Sequence, residues 1–312
     1  MHLRIQLSNR IFFVTAITVG ICLLAYTPSH CEVVKQTDRL AELREITGQY
    51  PPVSAAERVK RCIELLQKEM ASPSAPVFGE GGGPIDTGYI QNVIMGSVCT
   101  AEHRGRIREE IRAAIADKMK TVPESDKALR ERLSLMLCLA GKKSMLPQVL
   151  EIMEHHPDGF MRFQAVAAIR EAWAYSGLEI SDAAIDALQS VMETDNYASI
   201  SFGGCFPAHD SKTKVISVSR KMAAEVLRLN GVQVRKGTEE LDAKYGVARL
   251  NPLLYTKDTN LTQTVVGVLG AIGGPEAEGA LQAFIWQKSS EDDAKSCVEE
   301  ARQALARLRS GK

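Results

Sequence analysis

The chain has 312 residues, with 38 basic and 38 acidic side chains and a formal charge of zero. That balance excludes the usual electrostatic case for a nucleic-acid partner, which needs a basic excess on one face. Hydrophobic residues at 45% suit a folded chain rather than a disordered one, and aromatics at only 5% with a dominance of Ala, Leu, Glu, Arg and Lys predict an all-α protein.

The chain begins MHLRIQLSNRIFFVTAITVGICLLAYTPSHCEVV. Arg4 and Arg10 precede an uncharged run from Ile11 to Tyr26, and a polar, Pro-containing stretch follows. The run is shorter than the roughly 20 residues of a membrane span, and the order is that of a secretory signal peptide over 1–31. Ser29 and Cys31 are small enough to precede a cleavage point near Glu32; an uncleaved N-terminal anchor is the alternative. Ile21 before Cys22 and His30 before Cys31 do not suit lipid attachment, which wants a small residue there. Charged residues interrupt every later apolar stretch, so no other segment is expected to span a membrane.

Residues 32–124 are expected to form an N-terminal helical region, either divergent repeats or a cap, with helices over 55–70 (AAERVKRCIELLQKEM) and 104–119 (RGRIREEIRAAIADKM). Beyond it, a buried helical face recurs with one Arg near its start. It reads LRERLSLML at 129–137, MRFQAVAAI at 161–169 and SRKMAAEVL at 219–227. Degenerate copies without the Arg are LTQTVVGVL at 261–269 and CVEEARQAL at 297–305. Their spacing matches a helical hairpin of about 30–45 residues, except for a wider step between Ile169 and Leu227. Second helices are expected over 144–153, 181–191 and 276–285, and Asp158 is placed to cap the helix that carries Arg162.

The stretch VVGVLGAIGGPEAEGALQAFI (265–285) joins two such helices. Leu261, Val265, Val268, Leu269 and Ile272 form one stripe, and Ala277, Ala280, Leu281 and Phe284 the next. Gly273 suits the left-handed residue that ends a helix, and Pro275 suits the first turn of another. A phosphate cradle is excluded by spacing, since no Gly-x-Gly-x-x-Gly follows a strand. Gly79–Pro84 fails the same test. Gly141-Lys142-Lys143-Ser144 approaches a P-loop, but Met136 replaces its first glycine and Lys143 its hydroxyl residue.

"LGAIGGPEAEGAL" and "PDGFMRFQAVAAIREA" resemble HEAT-like repeats of the variety first noted in phycobilisome lyases, over about residues 125–310. The resemblance implies an α-solenoid of stacked antiparallel helix pairs, a HEAT- or armadillo-like superhelix. A lone hairpin cannot bury its apolar face, whereas stacked hairpins share a continuous core. The last helix suits an end position, with Glu291, Asp292 and Asp293 at its start and Arg307, Arg309 and Lys312 at its finish.

The longest break in the repeat is the insertion at 195–214, DNYASISFGGCFPAHDSKTK. It reads as a surface loop or a partner-binding loop, with Cys205, His209 and Asp210 too few for a structural zinc site. Adjacent His155 and His156 point different ways, and His103 sits in a charged segment. Arg130, Arg162 and Arg220 share one repeat position, where pairing with acidic groups of neighbouring helices is expected. Cleavage after Cys31 leaves Cys62, Cys99, Cys138, Cys205 and Cys297. Cys138 and Cys297 read as buried thiols, and a bridge between Cys62 and Cys99 is conceivable. Asn260-Leu261-Thr262 is a glycosylation sequon for a eukaryotic source.

No catalytic, cofactor-binding or metal site is assigned, no cofactor is implied, and the partner-binding residues are left open. The expected function is a non-catalytic protein–protein interaction scaffold, secreted or periplasmic. Two alternatives stand beside it. One is a chromophore-handling lyase resembling bilin lyases, and the other a structural component of a cell-envelope assembly.

Overall fold

The computed structural model describes residues 54–71, 77–78, 84–85, 106–201, 214–256 and 259–310. The signal segment, Cys99, His103, Cys205, His209, Asp210 and Lys312 lie outside the described residues. The chain is helical. Its helices are α1 (Ala55–Ala71), α2 (Arg106–Thr121), α3 (Lys127–Leu139), α4 (Leu146–His155), α5 (Gly159–Ser176) and α6 (Asp182–Thr194). Then come α7 (Val218–Leu229), α8 (Ala243–Leu250), α9 (Thr259–Ile272), α10 (Gly274–Lys288) and α11 (Lys295–Ser310). Among the described residues, no helix is long and apolar enough to cross a membrane.

Most of these helices begin at a short polar residue that takes up an otherwise orphaned backbone N–H. Asp126 Oδ1 accepts from Leu129 N at 3.2 Å, Asp158 Oδ1 from Phe160 N at 2.9 Å, and Ser217 Oγ from Arg220 N at 3.1 Å. Asp158 therefore starts α5 as its position predicts.

The chain divides into two compact units. One comprises the chain up to His156 together with Gln164–Ala184. Within it, α1 packs on α2, α2 on α3 and α3 on α4. Val59, Ile63, Leu66, Ile111, Ile115, Leu129, Leu133 and Val149 are buried. Cys62 and Cys138 are free thiols in this core, so the conceived bridge from Cys62 is not formed. Burial raises the Cys62 thiol to about 11 and the Cys138 thiol to about 12, because each would have to ionise away from water. A two-residue ribbon, β1 (Val77–Phe78) with β2 (Pro84–Ile85), flanks the Gly79–Gly83 run.

The other unit comprises Pro157–Phe163 and Ile185–Lys312. Here α9, α10 and α11 pack on one another, and α8 packs on α9 and α10. Their shared core includes Leu254, Val265, Leu269, Leu281, Phe284, Val298 and Leu305, with the Tyr255 ring edge-on to Phe284 at 6.0 Å. The stripe predicted on α9 is displaced. Val266 and Thr262 are buried, whereas Val268, Leu261 and Ile272 are half-buried. A helix touched by α8, α10 and α11 hides more than one narrow face. On α10 the predicted Ala277, Leu281 and Phe284 are buried and Ala280 is half-buried, with Ile285 beside them. The acids expected in the first turn of α11 precede it, Asp292 and Asp293 in a short 3₁₀ turn before Lys295.

The insertion is not all loop. β3 (Ala198–Ser201) pairs antiparallel with β4 (Lys214–Ser217), Ala198 opposite Ser217 and Ser201 opposite Lys214. A bridge from Ile216 to Glu240 continues the ribbon. Ala198, Val215 and Leu241 fill a small core beneath it, which gives these β-prone segments something to cover. Residues 202–213, between the strands, lie outside the described residues.

Candidate functional site

Arg130, Arg162 and Arg220 each donate to main-chain carbonyls at turns between helices. Arg130 Nη1 donates to the Val122 carbonyl at 2.9 Å and to that of Met119 at 3.5 Å, at the end of α2. Arg162 Nη1 donates to Pro157 O at 3.2 Å, just past the end of α4. Arg220 Nε and Nη2 donate to Asp195 O at 2.7 Å and Glu193 O at 3.2 Å, at the end of α6. Arg130 and Arg220 thus meet the last carbonyls, and the negative dipole end, of the helix before them, whereas Arg162 holds the turn residue Pro157. Acidic partners were the expectation at all three. Arg162 has one, with Nε 3.1 Å from Asp195 Oδ1, while Arg130 and Arg220 bond main-chain carbonyls instead.

Asp195 is buried at 3% exposure and fully engaged. Its Oδ2 accepts from Ser217 Oγ at 2.7 Å and from Tyr197 N at 3.2 Å. This knot ties the end of α6 to the start of α7 and turns the chain so that Tyr197 projects beside α5. Phe160 and Phe163, from the first turns of α5, meet the Tyr197 ring at 6.4 and 6.2 Å, the latter stacked at 28°. Gly159 makes the approach feasible, because a Cβ there would fall 2.6 Å from Tyr197 Cδ2.

From α8, Arg249 comes over the same ring, its Cζ 4.5 Å from the centroid. Its Nη2 donates to the Tyr197 hydroxyl at 3.1 Å and its Nη1 to the Ala198 carbonyl. Between these groups lies an open cleft of about 380 Å³, lined by Pro157, Gly159, Arg162, Asn196, Tyr197, Ala198, Tyr245 and Arg249. Its chemistry is aromatic and donor-rich, the pair of features that anchors interfaces.

The other residues singled out in the sequence do not converge on this cleft. His155 is exposed at the end of α4, whereas His156 is half-buried with Nε2 3.4 Å from Glu131 Oε2. Cys297 is a buried free thiol, its ionisation pushed up mainly by that burial. Among the described residues, no group of three or more His, Cys, Asp or Glu side chains is placed to hold a metal ion. The P-loop-like Gly141-Lys142-Lys143-Ser144 is a helix corner. Gly141 has φ 93° and donates to Cys138 O at 2.8 Å, and Lys142 N closes on Leu137 O at 2.9 Å. Tyr197, Tyr245 and Arg249 carry no signal in the sequence, being single residues from separate elements. No protein family, curated protein or solved structure matches the chain.

Proposed function

We propose that this chain is a non-catalytic, protein-binding scaffold of an exported compartment, built as an α-solenoid of HEAT-like helix pairs. The observation that carries the reading is the repeated arginine. Arg130 and Arg220 each anchor the end of the preceding helix, and Arg162, alike in the sequence pattern, holds Pro157 O and Asp195; recurring contacts of this kind suit repeated units joined by similar seams. A second register supports it. Three helices, α3, α7 and α9, are followed closely by glycines with positive φ, Gly141 at 93°, Gly231 at 73° and Gly273 at 69°. These glycines stand equally far from Arg130, Arg220 and Thr262.

Helices that pack in succession present surface along their length rather than one enclosed pocket, and the cleft beside Tyr197 is open, with interface-type residues. Export rests on the signal-like order of residues 1–31. Cross-linking in the native compartment, with the mature chain as bait, is expected to recover a protein partner in fixed proportion. Recovery of none, together with turnover of a small molecule, overturns the reading. Absorbance beyond 300 nm in the purified protein assigns it to chromophore handling instead. Small-angle scattering checks the shape, for which an elongated solenoid exceeds the radius of gyration of about 19 Å of a compact chain this long.

A further inference from the structure

We infer that the cleft beside Tyr197 receives a carboxylate of an acidic peptide segment in the protein partner, seated on Arg249. The inference rests on the protein-binding reading above and specifies the chemistry of what is bound.

The lining decides the ligand's charge. Among the described residues it contains two guanidiniums, Arg162 and Arg249, and no carboxylate. Two acids adjoin the lining in sequence: Asp195, buried and accepting from Arg162, Ser217 and Tyr197, and Asp158, whose Oδ1 accepts from Phe160 N at the start of α5. Arg249 is exposed, and among the described residues it pairs with no acid. Its contacts are the Ala198 carbonyl, the Tyr197 hydroxyl and the Tyr197 ring, all of which fix its plane without cancelling its charge. A guanidinium has more N–H groups than these contacts use, and the remainder match a carboxylate fork.

Two more donors face the same space. Asn196 gives its carbonyl oxygen to Arg162 Nη2 at 3.3 Å, which leaves its amide N–H groups for a ligand. The Tyr245 hydroxyl has no hydrogen-bond partner among the described residues, and its ring forms a wall of the cleft. The side-chain groups left to a ligand by Arg249, Asn196 and Tyr245 are donors or a hydroxyl, so the complement is an acceptor-rich anion.

The shape decides its source. At about 380 Å³ the cleft is near the lower end for ligand pockets and does not enclose its occupant. It suits a single acidic side chain or chain end whose remaining length runs over the surface. Holding Arg249 flat in advance lowers the ordering cost that a free arginine would bring to the contact.

The test is an array of random synthetic peptides probed with the wild-type chain and with Arg249→Met and Tyr245→Phe. Each peptide is also printed with Gln for Glu, Asn for Asp and an amidated C-terminus. The expected binders carry a carboxylate and weaken about tenfold on its conversion to amide and about tenfold with Arg249→Met, equivalent to about 1.4 kcal/mol. Tyr245→Phe, which keeps the ring and so the fold, weakens them about threefold, and added salt weakens them further. Binders indifferent to amide conversion, or equal binding by wild type and Arg249→Met, overturn the inference and leave the scaffold reading standing. If the array is blank, the cross-linked partner decides, since its undiminished capture by Arg249→Met also overturns the inference. A blank array with no cross-linked partner overturns the inference, and turnover of a small molecule beside it ends the scaffold reading as well.

Discussion

The carboxylate of Asp195 accepts from Arg162 Nε at 3.1 Å, with the acid side chain 2% exposed and the arginine side chain 16% exposed. The pair joins the first turn of α5 to the residue that follows α6. Around it, Ser217 and the Tyr197 amide complete the carboxylate's acceptors, so the charge is buried and satisfied together. Asp195→Asn replaces one acceptor oxygen with a donor that must face either Ser217 or Arg162. The expected loss is about 3 kcal/mol, read as a fall in the urea midpoint at unchanged slope. A loss below about 0.5 kcal/mol would show that the knot is not what holds this corner.

Arg220 tests an arginine latch at a helix end where no acid is involved. Its donors go to three separated carbonyls, of Asp195, Glu193 and Thr238, the last at 3.1 Å. A lysine ammonium reaches one of these places at a time, because it lacks the planar fork. Arg220→Lys is therefore expected to cost nearly as much as Arg220→Met, about 2 kcal/mol each by denaturant titration. Full rescue by lysine would mean that charge at the α6 terminus, rather than geometry, is what counts.

The hairpins are legible in the sequence because an apolar stripe and a capping residue are local signals. The Asp158 cap, the Gly273 turn and the second stripe on α10 all follow from spacing alone. Burial of Val266 is not, since it depends on how many neighbours α9 has. The ribbon is hidden for a similar reason. Ala-Ser-Ile-Ser and Lys-Val-Ile-Ser are too short to signal strands without Leu241, which helps cover them. The cleft is further out of reach, because Gly159, Tyr197, Tyr245 and Arg249 meet only after α5, the ribbon and α8 are in place. One signal was available in the sequence and informative, namely the constant spacing from Arg130 to Gly141 and from Arg220 to Gly231.

Two glycines with open space around them should respond to alanine with opposite signs. A Cβ added at Gly231 or at Gly267 meets nothing within 4 Å. Gly231 stands at φ 73° and closes α7, donating to Arg228 O at 3.0 Å while Val232 N reaches Leu227 O at 2.9 Å. An L-residue held there costs about 1–2 kcal/mol. Gly267 is exposed within α9 in ordinary helical geometry, where alanine gains roughly 0.5–1 kcal/mol by reducing backbone freedom in the unfolded chain. Thermal unfolding of Gly231→Ala and Gly267→Ala is expected to shift the midpoint down and up respectively. A shift of the same sign in both would mean that φ at Gly231 is not the controlling difference.

The buried thiols give the fold an alkaline limit. A Cys138 thiol raised from 9.0 to about 12 keeps its proton in the folded chain while the unfolded chain loses it above about pH 9. The unfolded state then binds fewer protons than the native one, so stability falls as pH rises through that window. Below pH 9 both states hold the proton, and Cys138 contributes no slope. The slope from this thiol reaches at most about 1.4 kcal/mol per pH unit, between the unfolded and folded values. Cys138→Ala has lower stability at pH 8, having lost a packed sulfur, but should lose less between pH 9 and 11 than the wild type does. Parallel declines in the two proteins would place the Cys138 ionisation at its ordinary value. Alkylation at pH 8 offers a second reading, because Cys62 and Cys138 should remain unmodified in the native chain and react once guanidinium unfolds it.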